Sequence, residues 1–360
     1  MTNSSAKHFS MILIIILGVM TAFGPLTIDT YTPSLPKVQH DFGTSTSEIQ
    51  LTLSFAMIGL ALGQFLFGPI SDVFGRKRVA MILMIGYFIA SMISVFTTHL
   101  TLFLIMRFIQ GLTSGGAIVI AKASVGDKYD GNALAKFLAS LMVVNGIISI
   151  LAPLLGGLIL SISNWRRIFA FLTFIAVIVL VGVFLKMPSH IHTAQNRLNF
   201  KDILQDFIYL LKKPAFVIPM LLQGLTYVML FSYSSASPFI TQRIYHMSAP
   251  QFSVMLAING VGLIVVSQLV ALIVEKISRH KILIYLTLIQ ISGVILLVIT
   301  LTFHLPLYVL LIAFFINISP VTSIAPLGFS MAMEERTGGS GNASSLLGLF
   351  QFILGGIISP

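Results

Sequence analysis

Three charged side chains stand inside long apolar runs: Asp29, Arg107 and Lys122. Ionisable groups in such surroundings are expensive, and they normally face a partner, a bundle interior or a water-filled pathway. A carboxylate that can gain or lose a cationic neighbour can also take up and release a proton. Asp29 with Arg107 therefore has the makings of a proton switch. Their helices run in opposite directions, and Arg107 lies roughly 10 Å along its own helix counted from Leu100, so the two reach similar depth. A plainer role stands beside each. Asp29 would cap a helix break ahead of Pro33 and Pro36. Arg107 would send its long stem to the nearer interface. Lys122 would either line a central cavity or snorkel toward Asp127. Asp72 and Arg76 have the spacing of an i,i+4 ion pair or of a cap on the next helix, and Gly75 between them permits a tight turn; an ordinary solvated loop is the alternative. The polar and aromatic run Tyr227, Phe231, Ser232, Tyr233, Ser234, Ser235 and Ser237 either lines a cavity or packs against neighbours. Other chemistry is missing from the sequence. There is no cysteine, the His residues show no metal spacing, and neither a nucleophile–base set nor a phosphate loop is present. No enzyme, metal or cofactor is expected.

The elements that must position these residues are membrane helices. Apolar residues make up 56% of the chain and charged residues 9%, against about 45–50% and about 25% in soluble domains. The mean hydropathy of +0.99 agrees. The apolar runs are continuous and do not alternate, which excludes a β-barrel. The net charge of +10 sits in short loops, where it is a topology signal and not a nucleic-acid footprint. Runs long enough to span, at about 20 residues each, cover 9–33, 47–71, 79–98, 100–125, 133–161 and 166–187. After a polar interval come 214–240, 251–274, 281–302 and 305–333, and an eleventh begins near 341. The first run, with no clear cleavage pattern after it, reads as an uncleaved span. The interval holds His190, His192, Gln195, Asn196 and Arg197, and 198–211 repeats apolar residues at the spacing of an amphipathic surface helix. The expected organisation is a first six-helix bundle over 1–187, a linker over 188–213, and a second bundle over 214–360 that stops within its fifth helix. With the N-terminus in the cytoplasm, Lys37, Arg166, Arg167 and Arg243 lie outside. The remaining Lys and Arg, apart from Arg107 and Lys122, lie inside. The loops Asp72–Arg78 and Glu275–Lys281 share an acid, a base four residues on and a second base two further, a weak internal repeat of the kind found in secondary transporters.

Gly68, Asp72, Gly75, Arg76 and Lys77 match the pattern Gly-x-x-x-Asp-x-x-Gly-Arg-basic, and the loop resembles the signature of the major facilitator superfamily. There it implies a latch between the halves that stabilises an outward-open state. Arg107, Gln110 and Gly111 match the family's Arg-x-x-Gln-Gly, associated with proton transfer, and Gly111, Gly115 and Gly116 would let a neighbouring helix approach closely. Gly146, Pro153, Gly156 and Gly157 fit the antiporter motif, whose proline would kink its helix. Asp29–Pro36 resembles the first-helix signature of drug:proton antiporters, and Asn164–Phe169 resembles the Trp-Arg start of a sixth helix. The whole is similar to the Bcr/CflA (bicyclomycin/chloramphenicol resistance) group. The resemblance implies an all-α fold of two six-helix bundles, the second truncated here, around a central cavity. It implies multidrug efflux in exchange for protons by a monomer in the cell membrane, with Asp29 and Arg107 coupling the proton and no cofactor. The substrate cavity is expected to include Tyr31, Gln110, Lys122, Tyr227 and Tyr233. The expected partners are a small amphipathic drug, protons and the lipid bilayer, with no nucleic acid. The alternatives are proton-coupled export of an endogenous metabolite such as an amino acid, or a membrane sensor or scaffold that transports nothing. The family has twelve helices, so a polypeptide ending at Pro360 is expected to insert but to be unstable.

Overall fold

The computed structural model describes residues 11–127, 131–188, 200–274, 276–334 and 340–358. The described residues are almost wholly helical. The first half comprises α1 (Met11–Thr21), α2 (Phe23–Ile28), a 3-10 turn (Thr32–Ser34), α3 (Leu35–Phe42), α4 (Thr46–Phe74), α5 (Arg76–Phe96), α6 (Leu100–Gly126), α7 (Gly131–Ile162) and α8 (Arg166–Lys186). A short helix, α9 (Phe200–Leu211), crosses to the second half: α10 (Pro214–Phe239), a π turn (Ile240–Ile244), α11 (Ala249–Ile273), α12 (Arg279–Thr302), α13 (Leu307–Ile318), α14 (Val321–Glu334) and α15 (Ser340–Ile358). Among the described residues nine helices are long and apolar enough to cross a membrane, and the bent first pair makes a tenth. Their outer faces expose Ile82, Ile89, Phe174, Ile258 and Leu288, as lipid contact requires. The linker residues 190–197, and Lys7, Lys128, Glu275, Arg336 and Pro360, lie outside the described residues.

The spans alternate in direction, so each half has two ends. One, the basic end, carries Arg76, Lys77, Arg78, Lys212, Lys213, Lys276, Arg279 and Lys281; the other, the far end, carries Gly43, His99, Trp165 and Arg243.

Two expected single spans are interrupted, the first by a sharp bend and the second only by a turn, so that Leu307–Ala332 still counts as one span. The run from residue 9 to 33 bends by 54° between α1 and α2. The cause is Pro25, which has no N–H to donate to the carbonyl four residues before it, that of Thr21. Asn145 of α7 donates to that orphaned carbonyl at 2.7 Å, so the break is repaired by a neighbouring span. The run 305–333 is divided at Ser319 and Pro320 into α13 and α14.

At the far end, α4 and α11 open identically. Ser45 and Glu48 form a capping box, Glu48 N–H donating to Ser45 Oγ at 3.2 Å and Ser45 N–H to Glu48 Oε2 at 2.9 Å. Ser248 and Gln251 repeat it at 3.4 and 2.8 Å. Each box satisfies two N-terminal donors that would otherwise be left open.

α4 and α6 cross at near backbone distance. A Cβ at Gly111 would fall on the carbonyl of Ala56, and one at Gly115 on that of Leu60, so these positions admit only glycine. Gly116 abuts the side chains of Leu83 and Phe67 instead. The first half packs around one large cluster, including Leu17, Met20, Phe23, Tyr31, Phe103, Trp165 and Phe169. The second half divides its core into smaller clusters around Phe216, Phe252 and Ile282.

Candidate functional site

Between the halves lies a cavity of about 440 Å³. From the first half it is lined by Gly24, Pro25 and Asp29 of the broken span, Leu60 and Gln64 of α4, Ile118 and Lys122 of α6, and Asn145, Ser149 and Pro153 of α7. From the second half come Tyr227, Phe231, Tyr233 and Ser234 of α10, Asn259 and Gly260 of α11, and Gln351 and Phe352 of α15. Of the expected cavity residues, Lys122, Tyr227 and Tyr233 therefore face it. Tyr227 meets Phe231 and Phe352 with ring centroids 5.7 Å apart in each case. The Tyr233 hydroxyl accepts from Asn259 Nδ2 at 2.5 Å. The amides Gln64, Asn145, Asn259 and Gln351 were not singled out from the sequence, although a polar amide in an apolar span is a usable signal.

Asp29 is half-buried and follows α2 directly. Its N–H bonds the carbonyl of Pro25 at 2.8 Å, but its carboxylate makes no hydrogen bond or ion pair among the described residues and caps nothing. It lines the cavity from the end of α2, still in right-handed helical geometry (φ −75°, ψ −30°), ahead of the 3-10 turn that opens with Thr32 and Pro33.

Arg107 is not beside it. The guanidinium is fully buried inside the first half. It donates to Gln110 Oε1 at 2.8 Å, to the Thr27 carbonyl at 3.1 Å and to the Thr52 carbonyl at 3.4 Å. It also lies over Tyr31 at 4.6 Å and Phe169 at 5.7 Å. The snorkelling alternative is thereby set aside, since the head points inward to carbonyls and rings. Tyr31 and Gln110 belong to this cluster and not to the cavity wall. Tyr31 is wholly buried, with its hydroxyl on Thr52 Oγ1 at 3.0 Å, and Gln110 donates to Ser91 Oγ at 2.7 Å. Arg107 thus holds the backbone of the first span two residues before Asp29.

In the loop at the basic end, Arg76 pairs with Asp72 as the spacing suggested. It also pairs with Asp127 after α6, at 3.0 Å to Oδ2 and 3.3 Å to Oδ1, and donates to the Gly68 carbonyl at 3.2 Å and to Ser71 Oγ at 2.5 Å. Gly75 ends α4 with φ 91°, a backbone region that penalises other residues. Lys77 lies over Phe184 at 5.7 Å. These partners all belong to the first half.

In α7, Pro153 lines the cavity. A Cβ at Gly156 would fall on the Thr30 carbonyl, and one at Gly157 on Ser253 Oγ of α11, whereas Gly146 has open space around it. The pair Gly156–Gly157 is therefore where α7 meets both the turn that carries Asp29 and the second half. At the far end Gln50 Nε2 donates to the Ser235 carbonyl and Gln242 Nε2 to the Pro33 carbonyl, both at 3.0 Å, and Arg243 bonds Gln39. The Trp-Arg start of α8 anchors that end too: Trp165 Nε1 donates to Asp41 Oδ2 and Arg166 to the Thr97 carbonyl, each at 2.7 Å.

Comparison with known proteins gives a consistent picture. The Major Facilitator Superfamily profile matches residues 13–360. An uncharacterized MFS-type transporter, YdgK, of Bacillus subtilis is 31% identical, covering 99% of this chain and 90% of that protein. A bicyclomycin resistance protein homolog of Haemophilus influenzae is 27% identical over 97% of this chain and 88% of its own. The multidrug resistance protein MdtM of Salmonella typhimurium is 25% identical over 74% of this chain and 65% of its own. Among solved structures, the nucleoside transporter NupG superposes with a TM-score of 0.75 at 14% identity, covering 96% of this chain and 87% of NupG. A D-xylose-proton symporter superposes at 0.73 and 18%, covering 97% and 87%. At those identities the likeness speaks for the fold.

Proposed function

The chain belongs to the Major Facilitator Superfamily, and from that premise we propose that it exports small amphipathic compounds in exchange for protons. It is a multi-pass membrane transport protein and not an enzyme. The observation that carries the proposal is Asp29: a carboxylate with no partner among the described residues, on the wall of a cavity that both halves line. Such a group is free to take up and release a proton beside whatever occupies the cavity. The names of the Haemophilus and Salmonella relatives favour drugs as the cargo.

The geometry supports the following working cycle. The far end is closed by Gln50, Gln242 and Arg243, while the cavity continues past Lys122 toward the basic end. We take the basic end as cytoplasmic, because Lys and Arg gather on that side of a membrane; the N-terminus then lies in the cytoplasm and the cell membrane is the site of action. Cargo enters from that side, the halves rock about α7–α11 and α4–α15, and a proton from outside loads Asp29 as cargo leaves. Arg107 holds the Asp29 segment by its backbone and acts as a positioning residue. The Asp72–Arg76–Asp127 cluster locks the loop geometry at the basic end, and its rearrangement accompanies the switch. The proton gradient supplies the drive. A susceptibility panel in a host lacking its own exporters tests this. Expression should raise tolerance to several amphipathic drugs and a protonophore should abolish the gain. Unchanged tolerance across the panel, with protein present in the membrane, counts against it.

A further inference from the structure

The two charged residues on the cavity wall stand at different depths. Asp29 lies on the far-end side. Lys122 lies where the cavity passes into a second one of about 390 Å³, the two sharing Gln64, Lys122, Gln351 and Phe352. This second cavity is lined by Phe65, Val119, Gln223, Phe329 and Gly348, all on the halves of their helices nearer the basic end. A molecule moving between the basic end and Asp29 along this route passes Lys122. Lys122 makes no hydrogen bond or ion pair among the described residues. The carboxylate nearest to it in sequence, Asp127, is held through both oxygens by Arg76. Among the residues lining the two cavities, Lys122 is the cation and Asp29 the acid. A structural lysine would be expected to spend its three donors on carbonyls or a carboxylate. This one presents them to the passage, and a charge focused by low-dielectric walls discriminates ligands by sign.

We propose that Lys122 sets the specificity of this cavity. It seats a carboxylate or another anionic oxygen, the ligand's apolar body rests against Tyr227, Phe231 and Phe352, and permanent organic cations are turned away. This rests on the reading of the cavity as the cargo site. It divides the labour between the two charges: Lys122 takes the head group of the ligand, and Asp29 is left for the proton.

The test uses a matched pair of probes with one body and opposite heads, 4-phenylbutyrate and 4-phenylbutyltrimethylammonium. Binding to the purified chain in lipid nanodiscs is measured by calorimetry. The carboxylate is expected to bind at least about tenfold more tightly than the cation. Lys122→Gln should remove most of that preference, Lys122→Arg should keep it, and Lys122→Glu should invert it. Equal or tighter binding of the cation by the native chain overturns the proposal, as does undetectable carboxylate binding. A folded Lys122→Gln variant that keeps the native carboxylate affinity overturns it as well. Should a variant fail to fold, the preference of the native chain decides alone. The expected pattern without proton-driven export would sink the transport reading and leave the seat standing. Drug export without carboxylate binding would do the reverse.

Discussion

Asp29 and Arg107 are both withdrawn from bulk water, and the protein treats them in opposite ways. Each named donor of Arg107 ends on an oxygen, and its faces are covered by Tyr31 and Phe169. The Asp29 carboxylate has no partner of that kind among the described residues. Substitutions should separate them. Arg107→Lys cannot span Gln110, Thr27 and Thr52 together, because lysine lacks the planar fork. A hydrogen bond to a charged group is worth about 1.5–3 kcal/mol, so the variant should melt several degrees lower in detergent. Asp29→Asn, which removes no contact, should melt within a degree or so of the native chain. Equal melting temperatures for the native and Arg107→Lys chains would mean that the cluster is not structural. The sequence placed both residues in spans and gave them similar depth. It could not place Arg107, Tyr31 and Gln110 in the interior of one half, because the azimuth of a residue around a helix that is apolar on all sides leaves no mark in the pattern.

Among the elements, the first span and α7 form one device. Pro25 breaks the span, Asn145 of α7 repairs the freed carbonyl, and Gly156 of α7 lets the turn after Asp29 approach to backbone contact. The motif Gly146–Gly157 was legible as a string, but not the unequal standing of its glycines, since no spacing tells which one meets a neighbour. Gly156→Ala should cost about 1–3 kcal/mol through overpacking, displace the Asp29 turn and slow transport. Gly146→Ala should be neutral or stabilising by up to about 1 kcal/mol, as expected for an unhindered helix position. Thermal unfolding of the two purified variants checks both, and equal effects would contradict the packing described here. The capping boxes at Ser45 and Ser248 went unread in the sequence, though Ser-x-x-Glu and Ser-x-x-Gln are recognisable signals. They strengthen the internal repeat, since they are separated along the chain by the same distance as Asp72 and Glu275.

For the molecule as a whole, the existence and approximate limits of the membrane-length helices were readable, because about 20 apolar residues are needed to cross and few other structures supply them. The cavity was readable only in part: Lys122, Tyr227 and Tyr233 line it but Tyr31 and Gln110 do not, since its wall exists only where two bundles meet. Its orientation in the membrane is open to a direct check. The chain has no cysteine, so Ser248→Cys and Ser278→Cys, at exposed positions on opposite ends, can be labelled singly with an impermeant thiol reagent in intact cells. Ser248→Cys should react and Ser278→Cys should not; the reverse would place the basic end outside. The central claim is that Asp29 couples cargo to the proton. The most direct measurement is proton movement across proteoliposomes that contain the purified chain, followed with an internal pH dye on adding an exported drug. The native chain should move protons against the drug, and Asp29→Asn should still bind drug but move none. Proton movement by Asp29→Asn at the native rate would show that the coupling acid lies elsewhere.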